Sequence, residues 1–461
     1  MSIQLDSTIC ALATPPGIGA IGVIRLSGTD AITICNKVFK GRDLATASAN
    51  TIHFGSIRDG ERILDEVLVS VFKAPHSYTG ENSVEISTHG SNYLQQQIIQ
   101  LLIRVGAKAA GPGEYTQRAF LNGKLDLAEA EAVADIIASN SEAAHGIAIQ
   151  QMRGGFSDDI KSLRQELLDF ASLIELELDF GEEDVEFADR TQLTNLVDKV
   201  LITTSNLITS FDKGNVIKNG IPVVIAGAPN TGKSTLLNAL LNEDRAIVSE
   251  IAGTTRDTIE EELVIDGVVF RFIDTAGIRH TDDTIEAIGV KKALEKVKSS
   301  AVVLYMFDVH EHSVGDLKNI MAKLLEEVQG TKAKVIWVGN KIDHEDFEAI
   351  AHEFEQFHNL VLVSAREKQN LDTLIDKLIA EINLDITNLN QTIVTNTRHF
   401  EALTEANIAL QKVKEGLESG ITGDLLAMDI RQALHSLGSI TGEVDVEELL
   451  GNIFGRFCIG K

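Results

Sequence analysis

Five short apolar runs recur through the middle of the chain: IPVVIAG (221–227), VVFRFI (268–273), AVVLYMF (301–307), AKVIWVG (333–339) and LVLVS (360–364). Each is short, rich in β-branched residues and nearly unbroken in hydrophobicity, as central strands of a parallel sheet should be. The segment ELVIDGVVFRF carries Asp266-Gly267 at its turn, which predicts a hairpin and one antiparallel strand on the sheet's edge. On both sides of this block the apolar spacing changes to helical. It predicts helices over 125–152, 160–180 and 191–211 before it, and over 398–417 and 423–437 after it. The first 120 residues differ again. CALATPPGIGAIGVIRLSG alternates turn residues with β-rich runs, DEVLVSVFKA and NSVEISTHG read as further strands, and 29–39 and 91–105 read as helices.

The expected fold is therefore multidomain: an N-terminal α+β domain (1–120), a discontinuous α-helical domain (121–216 and 386–461), and an inserted α/β Ras-like P-loop domain (217–385). An insertion needs chain ends that lie close together, as compact domains usually have. Three domains in simple succession are the alternative.

Chemistry enters at the ends of the apolar runs. Residues 227–234, GAPNTGKS, follow a strand and open the helix-like TLLNALLN, so backbone N–H groups and a helix N-terminus converge on one spot suited to phosphate. Gly227 and Gly232 permit the tight turn, Lys233 reaches the outer phosphates and Ser234 offers its hydroxyl to Mg²⁺. Asn230, Thr231 and Thr235 complete the candidate phosphate contacts. Downstream stand Asp274-Thr275-Ala276-Gly277, then Asn340-Lys341-Ile342-Asp343, then Ser364-Ala365, each closing a strand and so falling on one rim of the sheet. Asp343 can accept hydrogen bonds from N1–H and the 2-amino group of guanine. Adenine offers neither donor, and a site of polar partners rejects the ligand that leaves them unpaired. The expected nucleotide is GTP. Asp274 would orient Mg²⁺ through water, and Gly277 would donate to the γ-phosphate. Thr255 or Thr254 would ligate Mg²⁺ only when GTP is bound. Many GTPases carry Gln just after this glycine to orient water, but Ile278 stands there. Catalysis then needs another polar residue, a cation or a partner; Arg256, Arg279 and Glu286 are the nearby candidates.

Composition narrows the classes. At 461 residues, with 44% hydrophobic content, the chain can bury several cores. A net charge of −27 argues against nonspecific grip on nucleic acid, leaving RNA bound on a local basic patch or through a partner. Cys10, Cys35 and Cys458 have neither metal-type spacing nor a disulfide framework, which points to a reducing cytoplasm. The N-terminus lacks a secretory pattern, and no apolar run approaches the roughly 18 residues a membrane span needs, so membrane contact would be peripheral. The acidic run at 176–187 reads as a solvated loop between helices. Arg25, Glu85, His89 and Arg118 read first as surface or turn residues and second as binding groups. Phe454, Phe457 and Ile459 predict a docked C-terminal tail, with Cys458 in a packed or active environment or simply buried.

Taken together, TPPGIGAIGVIRLSG, YTGENSVEISTHG, PGEYTQRAFLNGKLDLAEAEA, GAPNTGKSTLLNAL, IAGTTRD, DTAGIR, NKID and the terminal FCIGK resemble the bacterial and organellar tRNA-modification GTPase family MnmE (TrmE) across the whole chain. The resemblance implies an N-terminal folate-binding domain that forms the homodimer. It also implies a heterocomplex with the flavoprotein MnmG (GidA), which brings FAD and NADH. The joint product is an aminomethyl-type group (carboxymethylaminomethyl or aminomethyl) on carbon 5 of the wobble uridine of certain tRNAs. The one-carbon unit comes from a 5-formyl- or methylene-tetrahydrofolate. Matched motif to motif, Asn230, Ser249, Ile251 and Thr254 would hold K⁺, with Ser234 and Thr255 on Mg²⁺. The loop Ser249, Glu250, Ile251, Ala252, Gly253, Thr254 and Thr255 would contact GTP. Ser249 stands where a threonine is expected, a change that a backbone ligand survives. Glu286 matches the family's catalytic glutamate, and Arg25, Glu85, Lys124 and terminal Lys461 match its folate site. Cys458 matches a cysteine near the modification centre, with no nucleophile role assigned. The reading from another class is a GTP-dependent assembly switch, for example on the ribosome; a redox-linked scaffold is a third.

Overall fold

The computed structural model describes residues 7–179, 190–242, 246–248, 260–265, 267–274, 300–311, 314–331, 333–344, 347–354, 356–357, 359–382, 392–419, 421, 423–444, 450, 453–455 and 457–460. It divides into two compact units: residues 1–137, 149–204 and 401–461 in one, and residues 138–148 and 205–400 in the other.

The first unit opens with a seven-stranded sheet in the order β3-β4-β5-β6-β2-β1-β7. Its strands are β1 (Ile9–Leu12), β2 (Gly19–Ser27), β3 (Phe39–Lys40), β4 (Thr51–Asp59), β5 (Arg62–Phe72), β6 (Ser83–Gly90) and β7 (Lys108–Ala109). All neighbours run antiparallel except β1 and β7. Alternation along β5 buries Val67, Val69 and Val71, which share one core with Ile24, Leu26, Val84 and Ile86. Helices α1 (Ala31–Val38) and α2 (Asn92–Arg104) cover that face through Ile34, Cys35, Ile98 and Leu102. The period of two places Ile52, Phe54 and Leu68 outside, where they are exposed. A third helix, α3 (Glu114–Leu121), lies within the PGEYTQRAFLNGKL motif, where the hydrophobic pattern alone did not predict one.

Helical segments follow: α4 (Leu127–Ala138), α5 (Glu142–Met152), α6 (Gly155–Asp179) and α7 (Arg190–Asn219). The single helix expected over 125–152 is thus two. Ser139-Asn140-Ser141 interrupts it, and Ser141 caps the second helix by accepting the Ala144 N–H at 3.2 Å. Conversely, α7 runs past the expected end at 211 and continues through Gly214. A Cβ there would stand 2.1 Å from the Val394 carbonyl, so that glycine admits a crossing backbone rather than ending the helix. Of the acidic run, 176–179 belongs to α6 and 180–187 lies outside the described residues.

The second sheet has the order β14-β13-β12-β8-β11-β10-β9. Its strands are β8 (Ile221–Gly227), β9 (Ala246–Val248), β10 (Glu260–Ile265), β11 (Val268–Asp274), β12 (Val302–Asp308), β13 (Lys334–Asn340) and β14 (Leu360–Val363). Strands β14, β13, β12, β8 and β11 are parallel, and β10 is antiparallel to β11 with Ile265 opposite Val268, as a tight hairpin requires. β10 is not the edge, however: three-residue β9 pairs beyond it. Its short apolar stretch, AIV, was not among the predicted strands. Both faces of the sheet are covered. Val223, Ile225, Leu304 and Met306 pack with Leu236 and Leu240 of α8 (Lys233–Leu241) and with Leu374 and Leu378 of α11 (Leu371–Ile382). Val224, Val303, Phe307 and Trp337 pack with Leu317 of α9 (Val314–Val328) and Phe354 of α10 (Phe347–Phe354). Each such fully buried side chain contributes about 1.5–3 kcal/mol, and two-sided burial explains why these strands read as unbroken apolar runs. Helices α12 (Thr397–Ser419) and α13 (Gly423–Thr441) complete the chain, which is multidomain: an α+β domain, a discontinuous helical domain and an inserted P-loop α/β domain. Among the described residues no helix is long and apolar enough to cross a membrane.

Candidate functional site

Because β8, β11, β12, β13 and β14 are parallel, their carboxyl ends place Gly227, Asp274, Asp308, Asn340 and Ser364 along one rim. The turn after β8 depends on absent side chains. Gly227 has φ +146° and a Cβ there would stand 2.0 Å from the Met306 carbonyl; Gly232 has φ +99° and a Cβ there would stand 2.4 Å from Asn340 Nδ2. Asn230 also adopts a left-handed φ of +62°, which Asn tolerates better than most residues. Helix α8 then starts at Lys233, directing the N–H groups of its first turn toward the loop. Lys233 Nζ donates to the carbonyls of Gly227 (3.0 Å) and Ala228 (2.7 Å), so its ammonium lies across the loop it follows. Ser234 and Thr235 are exposed on the first turn, and Thr231 is buried with its hydroxyl on the Ala228 carbonyl.

Asn340 ties three segments together. Its Nδ2 donates to the Thr231 carbonyl at 2.8 Å, and its Oδ1 accepts the Ala365 N–H at 2.9 Å. Those two partners fix the orientation of the amide. The buried Ser364 hydroxyl donates to Asp343 Oδ1 at 2.7 Å and accepts the Glu367 N–H. That hydroxyl is the main reason the Asp343 carboxyl is held below the usual carboxylate range. Asp343 is exposed, and its remaining lone pairs are available to a ligand. Lys341 pairs with buried Asp308 at 2.5 Å, a bond that pushes the lysine pKa up. The sequence reading missed Asp308. Its signal was there: a carboxylate closing the AVVLYMF run on the same rim.

Of the remaining nucleotide candidates, Ser249, Glu250, Ile251, Ala252, Gly253, Thr254, Thr255, Thr275, Ala276, Gly277 and Glu286 lie outside the described residues, as do Arg256, Ile278 and Arg279. Asp274 closes β11, opposite Ile225 of β8. Among the described residues no cluster of three or more His, Cys, Asp or Glu could hold a metal ion.

A second constellation lies in the N-terminal domain. Arg25 and Glu85 face each other across β2 and β6, with the guanidinium 2.8–2.9 Å from Glu85 Oε1. The Arg25 guanidinium also lies 5.4 Å from the centre of the Tyr78 ring and 5.7 Å from that of Tyr115. Tyr115 donates to the Arg25 carbonyl at 2.7 Å, and burial raises the pKa of both phenols. The exposed Lys124 reaches this neighbourhood through the loop that carries Tyr78: a Cβ on Gly80 would stand 3.2 Å from Lys124 Cγ. Lys461 lies outside the described residues, but a Cβ on Gly460 would stand 2.2 Å from the Leu12 carbonyl, next to Ala11, the cross-strand partner of Arg25.

Two expectations need correction here. Arg118 is no surface residue: it is fully buried, bonded to Glu81 (3.0 Å), Glu114 (2.9 Å) and the Ser7 carbonyl (2.8 Å). Glu114 stands one helical turn before it and Glu81 comes from a distant loop, so spacing could show at most half of its environment. The tail docks through buried Phe454 and through backbone, with Ile459 bridging Pro112 and Gly113 N–H donating to the Cys458 carbonyl. Consequently Cys458 is exposed rather than packed, and Ile459 is 60% exposed. Cys10 and Cys35 are the buried thiols, pushed up by desolvation to about 11 and about 12. His89 stays on the surface, its Nδ1 2.7 Å from Asp65.

Comparison with known proteins bears on the chain as a whole. A family profile described as the MnmE helical domain matches residues 127–458, and one described as the GTP-binding protein TrmE N-terminus matches residues 8–124. The tRNA modification GTPase MnmE of Flavobacterium psychrophilum is 57% identical over 98% of this chain and 99% of its own. That of Flavobacterium johnsoniae is 55% identical over 100% of both chains. Among solved structures, a variant of Era from Aquifex aeolicus bound to GDP.AlF4- is 26% identical over 41% of this chain and 66% of its own, with a TM-score of 0.27. With both profiles and full-length relatives in agreement, the chain belongs to the family of the tRNA modification GTPase MnmE.

Proposed function

We propose that this protein is a potassium-stimulated GTPase that, with a flavin-dependent partner of the MnmG kind, modifies carbon 5 of the wobble uridine of certain tRNAs using a folate one-carbon unit. The observation that carries the GTP half is the Asn340 bridge between the phosphate loop and the Ala365 backbone, with Asp343 oriented beside it by Ser364. In this reading Asp343 accepts from the guanine N1–H and 2-amino group. Asn230, Thr231, Gly232, Lys233, Ser234 and Thr235 receive the phosphates, and Asn340, Lys341, Ser364 and Ala365 frame the base.

The residues fit the implied cations. Ser234 presents an exposed hydroxyl on the first turn of α8, and Asp274 closes the strand beside β8, an oxygen donor set suited to Mg²⁺. Thr255 would join them. The neutral amide of Asn230, exposed in its left-handed turn, suits a monovalent cation, with Ser249, Ile251 and Thr254 as the proposed further ligands. When bound, K⁺ supplies between the phosphates the positive charge that an arginine finger gives elsewhere. Glu286 would orient the attacking water in place of the glutamine that Ile278 replaces.

The N-terminal constellation fits a folate. Its pterin ring carries the same donor edge as guanine, and Glu85 keeps Oε2 for it while Oε1 serves Arg25. Lys124, with Lys461 at the end of the tail, supplies positive charge for the acidic folate chain. Domains 1–120, 121–216, 217–385 and 386–461 would divide the work: folate binding and homodimerisation, GTP hydrolysis, and a helical body carrying Cys458 to the tRNA. The redox chemistry would belong to FAD and NADH on the partner, in the cytoplasm. The test is mass spectrometry of wobble uridines in tRNA from cells lacking the protein. Missing carbon-5 modification is expected. A normal profile accompanied by ribosome defects would favour the GTP-dependent assembly switch instead.

A further inference from the structure

Asp343 stands on a turn whose backbone is unusual. Lys341, two residues earlier, has φ +74°, a left-handed conformation that side chains other than Gly and Asn rarely adopt. The turn closes by a hydrogen bond from His344 N–H to the Lys341 carbonyl at 3.3 Å. Ile342 N–H adds a 3.4 Å bond to the Val363 carbonyl and Ser364 holds the Asp343 side chain, but both backbone bonds are long for a turn that must aim a carboxylate at two donors on one base edge. Additional restraint comes from the segment that leaves β12, residues 308–310. Val309 N–H donates to the Asn340 carbonyl at 3.2 Å, and Asp308 Oδ2 holds the Lys341 ammonium. His310 Nε2 lies 3.2 Å from the Lys341 carbonyl. A carbonyl only accepts, so this nitrogen carries the hydrogen. The same segment is internally braced: Asp308 Oδ1 accepts the His310 N–H at 3.0 Å, and the His310 ring lies 4.7 Å from that of His344. Three bonds thus join 308–310 to 340–341, immediately before the residue that reads the base.

We propose that Asp308 and His310 are positioning residues for guanine recognition, clamping Lys341 in its left-handed turn so that Asp343 meets the 2-amino edge. This rests on the reading of the rim as a guanine-nucleotide site. Neither residue touches the base in this account; they act through the backbone and ammonium of Lys341. Their contribution therefore falls on discrimination between bases as well as on affinity. Guanine presents both N1–H and a 2-amino group, whereas hypoxanthine presents N1–H alone. A misplaced Asp343 costs the first ligand two bonds and the second only one.

The full chain is titrated with fluorescent GDP and fluorescent IDP. His310→Ala, at an exposed position, is expected to weaken GDP binding about tenfold and IDP binding less, narrowing the GDP-to-IDP ratio. His310→Gln, whose amide can still donate to the Lys341 carbonyl, is expected to restore the ratio. Asp308→Asn, which keeps the size of the buried side chain, narrows it in the same direction. An unchanged ratio in His310→Ala, or a Gln variant as poor as Ala, would overturn the clamp. A wild-type chain without preference for GDP over IDP would overturn the guanine reading itself, and the clamp with it.

Discussion

At the nucleotide rim, backbone does most of the positioning; around Arg25, side chains do. The phosphate loop is shaped by Gly227 and Gly232, whose missing Cβ atoms let the Met306 backbone of β12 and Asn340 approach, and among the described residues the Asn340 side chain bonds to backbone atoms. The Arg25 constellation instead joins Glu85, Tyr78 and Tyr115, drawn from three separated stretches of chain, and beneath it Arg118 is enclosed by Glu81 and Glu114. The contrast follows from the ligands each site would take. Phosphates are served by a row of N–H groups that any sequence possesses once the turn is right. A flat heterocycle with an acidic tail needs particular side chains at particular distances. The first kind of loop can keep its shape when a side chain is shortened but not when a Cβ is added; the second loses its arrangement with its side chains.

The contrast can be broken most sharply at Lys233. Lys233→Ala is expected to lower GTP turnover about a hundredfold or more while folate binding, read by equilibrium dialysis, stays at the wild-type level. Loss of both activities would mean that the two sites do not stand on separate plans. Next in size is Arg118→Ala, which leaves two largely buried carboxylates facing each other without their cation. It should destabilise the N-terminal domain by about 3–5 kcal/mol, seen as an earlier first transition in calorimetry of the full chain. An unshifted transition would show that the buried triad is no more than neutral to stability. Arg25→Ala then tests the ligand side alone: folate affinity should fall roughly ten- to a hundredfold, with GTP turnover unaffected.

The smallest expected effect concerns Ser364. Its hydroxyl lowers the Asp343 pKa, so the carboxylate stays ionised as pH falls through the ordinary range and guanine binding persists there. Removing the hydroxyl raises that pKa. Ser364→Ala should therefore lose GDP affinity at a higher pH than wild type in titrations between about pH 5 and 3. Superimposable pH profiles would show that Ser364 has no hold on the Asp343 charge.

The same contrast explains what could be read from the chain alone. The central strands were legible because burial on both faces leaves an unbroken apolar run, and the phosphate loop because its glycines sit at fixed spacing between a strand and a helix. The hairpin at Asp266-Gly267 was legible for the same local reason. Arg118 was misjudged because its partners Ser7 and Glu81 come from far along the chain, where no spacing rule reaches. Helix α7 ran past its expected end because Gly214 reads as a breaker until the backbone crossing at Val394 is seen. Phe454 docks the tail as its apolar character suggests, but at Cys458 and Ile459 docking proceeds through backbone bonds, which leave no hydrophobic signature. Asp308 and His310 escaped notice because nothing in their spacing ties them to Lys341; only the adjacency of β12 and β13 does.

The account as a whole turns on a monovalent cation replacing side-chain catalysts at the phosphate loop, beside Asn230. GTP hydrolysis by the full chain, measured in KCl and in NaCl at equal ionic strength, tests this directly. The account predicts turnover about tenfold or more faster in potassium. Equal rates in the two salts would contradict it.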